Sequence, residues 1–239
     1  IGLYVLGWAA CCSISFGPLS SIGEWWAQPL AFQKAIVYSL LFELLGFGCG
    51  SGPLTARYIP PVGGFLYFLR PGTTKAAPFP SAPLIGGIRR SFLDIALYAA
   101  TIGCAGTYIL SAQPASALLW ALAVLVPLSG LCDKTLFLAA RAEHYWTTIM
   151  VFVLANDWLA GAAWIQLALW FWAGISKLNV HFPAVVCVMS SNSPMLRSER
   201  SKKSLYRSYP DDLRPSKKAS VLAAFGIALE LSVPLTLLL

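Results

Sequence analysis

The chain of 239 residues is 57% apolar and only 11% charged, with a mean hydropathy of +0.68. A soluble domain carries about 25% charged residues, so this composition excludes a surface covered by charge, and lipid must solvate much of the chain. The net charge of +7 is concentrated in a few segments, and no stretch has the roughly 10-residue alternation of a membrane barrel.

Backbone groups in lipid must pair internally, so the spans are expected to be helices. The predicted fold class is all-α, a polytopic helical membrane protein of about seven transmembrane helices with interfacial or re-entrant segments. Residues 1–239 read as a single transmembrane domain. The chain opens at Ile1, apolar and without Met, and so reads as a fragment of a longer protein.

The first apolar run is Ile1 to Phe16, broken by Gly17 and Pro18, and Trp25 and Trp26 follow as interfacial aromatics. The second span runs from Gln33 to about Cys49. Residues 51–90 are rich in Pro and Gly and hold Arg57, Arg70, Lys75, Arg89 and Arg90 with no acid, a balance of +5. Within them "YIPPVGGFLYFLRPG" is apolar, short and broken, which predicts a re-entrant or interface-lying segment. The third span is Ser91 to Ser111 and the fourth Pro114 to Leu131. The fifth begins at Thr135 or at His144 and ends near Asn156, and the sixth runs from Trp158 to Leu178. "HFPAVVCVMSSNSP" is too short to cross and is expected at the interface. The seventh span is Ala219 to Leu239.

Residues 191–218 carry eight basic and three acidic groups, again +5. Seven spans would put both basic segments on one side, which the positive-inside rule makes cytoplasmic. The same rule explains the basic loop without a ligand, although anionic lipid or nucleic acid would also suit it. Six cysteines, Cys11, Cys12, Cys49, Cys104, Cys132 and Cys187, form no C-x-x-C pair. They are expected as buried thiols, with neither a disulfide framework nor a metal site.

Ionisable groups within a membrane are costly and face a partner or a cavity. The candidates are Glu43, Asp94, Glu143, His144, Lys177 and Glu230. Glu43 and Glu230 each read as a proton-handling or ligand-orienting carboxylate, or as a hydrogen-bonded structural one. Asp94 lies four residues after Arg90, and an i,i+4 ion pair is expected. The densest constellation is "RAEHYW" with "SKLNVHF". Spans five and six form a hairpin turning at Asn156 and Asp157. At 1.5 Å per residue, His144 to Asn156 covers about 18 Å and Trp158 to Lys177 about 28 Å, so both groups return toward one membrane face. Glu143, Asn179 and His181 can join them there. A desolvated lysine is a usable base, a histidine can shuttle protons, and a carboxylate can orient that histidine. A lysine that snorkels at a helix end uses the same residue types. Trp158, Trp164, Trp170 and Trp172 form either a cofactor wall or a set of interfacial and lipid-packing rings.

"EHYWTTIMVFVLAND", followed some fifteen residues later by "FWAGISKLN", resembles the transmembrane domain of the vitamin K-dependent gamma-carboxylase and its bacterial relatives. Glu143 to His181 carry the likeness, through Ala173, Gly174, Lys177 and Leu178 with His144 placed at the start of the preceding span. The whole chain is also similar to an actinobacterial family of uncharacterised multi-span membrane proteins. "GFGCGSGPLTARYIPPVGGFLYFLRPGT", "LFLAARAEHYW" and "SKLNVHFPAVVCVMSSNSP" carry that likeness, which implies a mycobacterium or a relative as host.

The carboxylase likeness implies that Lys177 is a base engaging reduced quinone and that His144 assists. The chain lacks the large non-membrane domain that binds a protein substrate, and its charge pattern puts Lys177 on the cytoplasmic side. Carboxylation of a protein is therefore not expected. What the likeness retains is the fold and a pocket for an isoprenoid quinone such as menaquinone, or another lipid.

The leading expectation is a plasma-membrane, multi-pass enzyme acting on a lipid or quinone. Lys177, His144 and Glu143 would be its catalytic groups, and Glu43, Asn179, His181 and Trp170 would line its pocket. The competing expectation is a non-catalytic lipid-binding or scaffold subunit of a cell-envelope complex. Membrane lipids, and in the second case other subunits, are the expected partners, with no nucleic acid.

Overall fold

The computed structural model describes residues 2–48, 64–139, 141–193 and 195–237. The first part of "YIPPVGGFLYF" and Cys49 lie outside the described residues. The helices are α1 (Gly2–Phe16), α2 (Ile22–Trp25), α3 (Pro29–Leu44), α4 (Gly64–Phe68), α5 (Phe92–Leu110), α6 (Ser116–Cys132), α7 (Lys134–Ala139), α8 (Ala142–Leu154), α9 (Trp158–Ser176), α10 (Phe182–Ser191), α11 (Glu199–Lys203) and α12 (Lys217–Thr236). Between α11 and α12 two short strands, β1 (Tyr206–Ser208) and β2 (Asp212–Pro215), pair antiparallel in the register Tyr206 with Pro215 and Ser208 with Asp212.

The all-helical class holds, but the span count does not. Among the described residues three helices, α5, α9 and α12, are long and apolar enough to cross a membrane. A fourth span arises only if α1 and the segment Leu19–Trp25, bent by 93°, count as one. The expectation of about seven is therefore corrected. The reason is length: α3 has 16 residues, α6 17 and α8 13. At 1.5 Å per residue these are about 24, 26 and 20 Å, short of a hydrocarbon core of roughly 30 Å. Arg141, at φ 50° in the left-handed region, separates α7 from α8 and shortens the fifth run. The sidedness drawn from seven spans loses its footing with the count.

Contacts group the chain into two compact units, Ile1–Ala162 and Ala163–Leu239. In the first, α5 packs on α3 and α6, and α8 packs on both α3 and α6. Val37, Leu40, Tyr98, Leu122 and Ile149 are wholly inaccessible at its centre. In the second, α10 packs on α12 and β2, around Cys187, Leu205 and Ala219.

Two polar devices tie the first unit together. Lys34 is fully buried, and its Nζ donates to the carbonyls of Cys11, Ile109 and Ser111 at 2.8, 3.0 and 2.9 Å. Ile109 lies in the last turn of α5, whose terminal carbonyls have no partner within the helix and carry partial negative charge. An ammonium satisfies three carbonyls at once without a carboxylate.

The second device surrounds the start of α5. Ser91 and Asp94 form a capping box: Asp94 N donates to Ser91 Oγ at 3.3 Å, and Ser91 N donates to the Asp94 carboxylate at 2.6 Å. Asp94 does not pair with Arg90, contrary to the i,i+4 expectation. It accepts from Lys75 at 2.9 Å, while Arg90 pairs with Asp133, all four side chains being buried. Arg90 also stacks over the Phe68 ring, 4.3 Å from its centroid. Arg90 precedes the helix, at the isolated bridge between Thr74 and Arg89, so its side chain does not share a helical face with Asp94.

Candidate functional site

The second unit holds the densest joining of charge and apolar surface among the sequence-predicted residues. Lys177 follows the last residue of α9 and ion-pairs with Glu230 of α12. The two side chains are 30% and 34% exposed, so neither is sealed in the interior. Lys177 Nζ also lies 5.7 Å from the centroid of the Phe182 ring at the start of α10, within cation–π range.

Gly174 explains how α12 reaches this lysine. It is buried, and a Cβ added there would stand 2.8 Å from Leu231 Cδ2 and 3.4 Å from Glu230 Cβ. Any larger residue must push Leu231 aside. Gly174 and Lys177 are three residues apart and so share a helical face, which brings Leu231 and Glu230 onto one stripe of α9. The "AG-x-x-K" spacing therefore has a packing reason independent of any chemistry.

Glu230 also lines an apolar groove of about 450 Å³ with Trp170, Ala173, Leu229 and Val233. Glu230 Oε2 is shielded from solvent and has no hydrogen-bond partner among the described residues. Buried polar atoms are normally satisfied, so this oxygen is an acceptor whose donor the described residues do not supply. The groove thus offers an apolar wall, an indole, a carboxylate with one unpartnered oxygen and an adjoining ammonium.

The other candidates fall in two groups. Asn179 and His181 are exposed and build the turn into α10: Asn179 Nδ2 donates to Ser176 O at 3.1 Å, and His181 N donates to Asn179 Oδ1 at 2.9 Å. Among the described residues neither lines the groove. Glu143, His144 and Glu43 belong to the first unit, whereas Lys177 belongs to the second. His144 Nδ1 lies 3.6 Å from Glu143 Oε1, too long for a hydrogen bond. His144 Nδ1 and Glu143 Oε2 have no partner among the described residues. Glu43 is 5% exposed and accepts from the Tyr4 hydroxyl.

Sequence reasoning singled out Glu230 but gave it no place beside Lys177, because 53 residues separate them. Lys75 entered only the basic count of residues 51–90, and Asp133 was not singled out. Lys34 carried no signal beyond its position near the start of an apolar run. Among the described residues no group of three or more His, Cys, Asp or Glu is placed to hold a metal ion.

No curated protein matches the chain, and no solved structure does. The carboxylase likeness and the actinobacterial origin accordingly draw nothing from these comparisons. One family model does match, over residues 1–239, and it is described as a transmembrane protein of unknown function. With three long apolar helices among the described residues and a match along its whole length, the chain belongs to that family, DUF3556, and is a membrane protein.

Proposed function

We propose that this protein binds a membrane lipid or isoprenoid quinone in the groove beside Glu230, with its polar end at the Lys177–Glu230 pair. The observation that carries the reading is the unpartnered Oε2 of Glu230, a residue lining an apolar groove of about 450 Å³. Ligand sites combine apolar walls with a few convergent polar groups, and a hydroxyl or a hydroquinone O–H is the donor that Oε2 lacks. Lys177 can in turn donate to a carbonyl or a headgroup oxygen. Trp170 supplies a flat apolar wall, 45% exposed. Menaquinone and phospholipid both fit this chemistry, in a multi-pass protein of the plasma membrane.

Catalysis is a second reading. Its support is the imidazole of His144, a residue type that moves protons, whose Nδ1 carries no hydrogen bond and lies 3.6 Å from the Glu143 carboxylate. Against it, Lys177 is engaged by Glu230, and a lysine serving as a base must first leave that pair. The binding reading needs no such step and therefore ranks first. A subunit that binds lipid without turning it over is the form it takes.

Mass spectrometry of lipids extracted from the purified protein tests the proposal. One lipid or quinone class should be retained near one per chain and be lost from Ala173→Trp, which fills the groove. A retained mixture that mirrors the bulk membrane, unchanged by Ala173→Trp, would refute it.

A further inference from the structure

A second cavity, of about 250 Å³, opens where the C-terminal end of α10 meets α11 and β1. Ser191, Asn192, Glu199, Lys202, Lys203, Tyr206 and Tyr209 line it. Its chemistry is the opposite of the Glu230 groove: two ammonium groups, three hydroxyls, an amide and one carboxylate.

Charge in this segment is unevenly matched. Among the described residues Lys203 pairs with Glu199 at 3.4 Å and Arg214 with Asp212 at 2.7 Å. Arg197, Arg200, Lys202, Arg207, Lys217 and Lys218 have no carboxylate partner among the described residues. The Lys203–Glu199 pair is weak by its setting, since the side chains are 55% and 82% exposed. Glu199 can therefore swing into solvent when a stronger anion arrives. Lys203 is held over the Tyr209 ring at 5.7 Å, and the Tyr206 hydroxyl and Ser191 Oγ lie 3.1 Å apart. These contacts turn polar groups from three elements toward one cavity.

We propose that this cavity binds a phosphate group, with Lys202 and Lys203 supplying the charge and the Asn192 amide and Tyr209 hydroxyl, which share its lining, donating to its oxygens. A phosphate offers several acceptor oxygens and more than one negative charge, which matches two cations, an amide and a hydroxyl donor better than a single carboxylate does. The cavity is built in the segment that leads into α12, a membrane-spanning candidate beginning at Lys217. The phosphate belongs either to a lipid headgroup or to a soluble phosphorylated molecule, and both present the same chemistry.

The test uses the full chain in detergent and reads binding by isothermal calorimetry, with short-chain phosphatidic acid and inorganic phosphate as separate probes. The variants are Lys202→Gln/Lys203→Gln, the conservative Lys202→Arg/Lys203→Arg, and Lys217→Gln/Lys218→Gln, which removes equal charge away from the cavity lining. Saturable binding that weakens at least tenfold in the first, and persists in the other two, supports the site. Binding of phosphatidic acid alone identifies a lipid headgroup, and comparable binding of inorganic phosphate identifies a soluble source. Binding of neither probe, or equal loss in Lys202→Gln/Lys203→Gln and Lys217→Gln/Lys218→Gln, overturns the proposal. Glu230 and Lys177 are unchanged throughout, so the outcome is independent of the groove.

Discussion

Three backbone carbonyls accept hydrogen bonds from the Lys34 ammonium. Lys34→Met keeps most of the stem and removes the donors. Leaving buried acceptors unsatisfied costs on the order of 1–3 kcal/mol, and each kcal/mol lowers Tm by about 2–4 °C for a chain of this size. A thermal melt in detergent should therefore show a drop of several degrees, and a melt superimposable on wild type would contradict the assignment. At Gly174, substitution by Val should push Leu231 outward and separate Lys177 from Glu230. Groove-bound lipid should then fall in Gly174→Val as it does in Ala173→Trp, while an unchanged lipid content would show that the close approach does not matter. The placement of Lys177 was legible from the sequence, as a cation closing an apolar run with aromatics before it. Its partner was not, because a contact across 53 residues is decided by how α12 packs and not by local spacing.

Among elements, the start of α5 shows where local rules hold and where packing overrides them. The Ser91 cap and the extent of α5 follow from a serine before an apolar run with an acid at the third helical position. The partner exchange, Asp94 to Lys75 and Arg90 to Asp133, depends on a loop folding back over the helix end, and no i,i+4 rule foresees that. Removing one member of a buried pair strands the other and costs roughly 3–5 kcal/mol. Lys75→Met and Asp94→Asn should each destabilise the protein strongly in denaturant-induced unfolding, and the double variant should cost clearly less than their sum. Strict additivity would deny the pair.

The β1–β2 hairpin gives a prediction in pH. The hydrogen bonds from Arg214, first from its side chain and then from its backbone N–H, hold the Asp212 carboxyl down at about 2, against an ordinary value of 3.8. A carboxylate depressed in the folded state contributes stability above its unfolded value, which is lost as pH falls from about 3.8 toward 2. NMR titration of labelled aspartate should place this midpoint near 2 and show it rising in Arg214→Gln. A midpoint that does not move would remove Arg214 as the cause.

For the molecule as a whole, composition settled the medium and left the number of crossings open. α9 and α12 lay close to their sequence-read bounds because predominantly apolar runs of nineteen and twenty residues admit few alternatives. The shorter runs were overcounted, because apolarity alone does not separate a helix buried among helices from one surrounded by lipid. The burial of the long helices marks the difference: 33% of the apolar window in α5 is buried, against 6% in α9 and 17% in α12. Of the two less buried helices, α9 leads into Lys177 and α12 carries Glu230.

The proposal that their groove selects a ligand is tested most directly by photocrosslinking in native membranes. A benzoyl-phenylalanine placed at Val233, in the groove, is compared with one at Val221, an exposed position of α12 outside it. The account predicts one lipid or quinone species on residue 233 and the bulk lipid mixture on residue 221. The same mixture at both positions would contradict it.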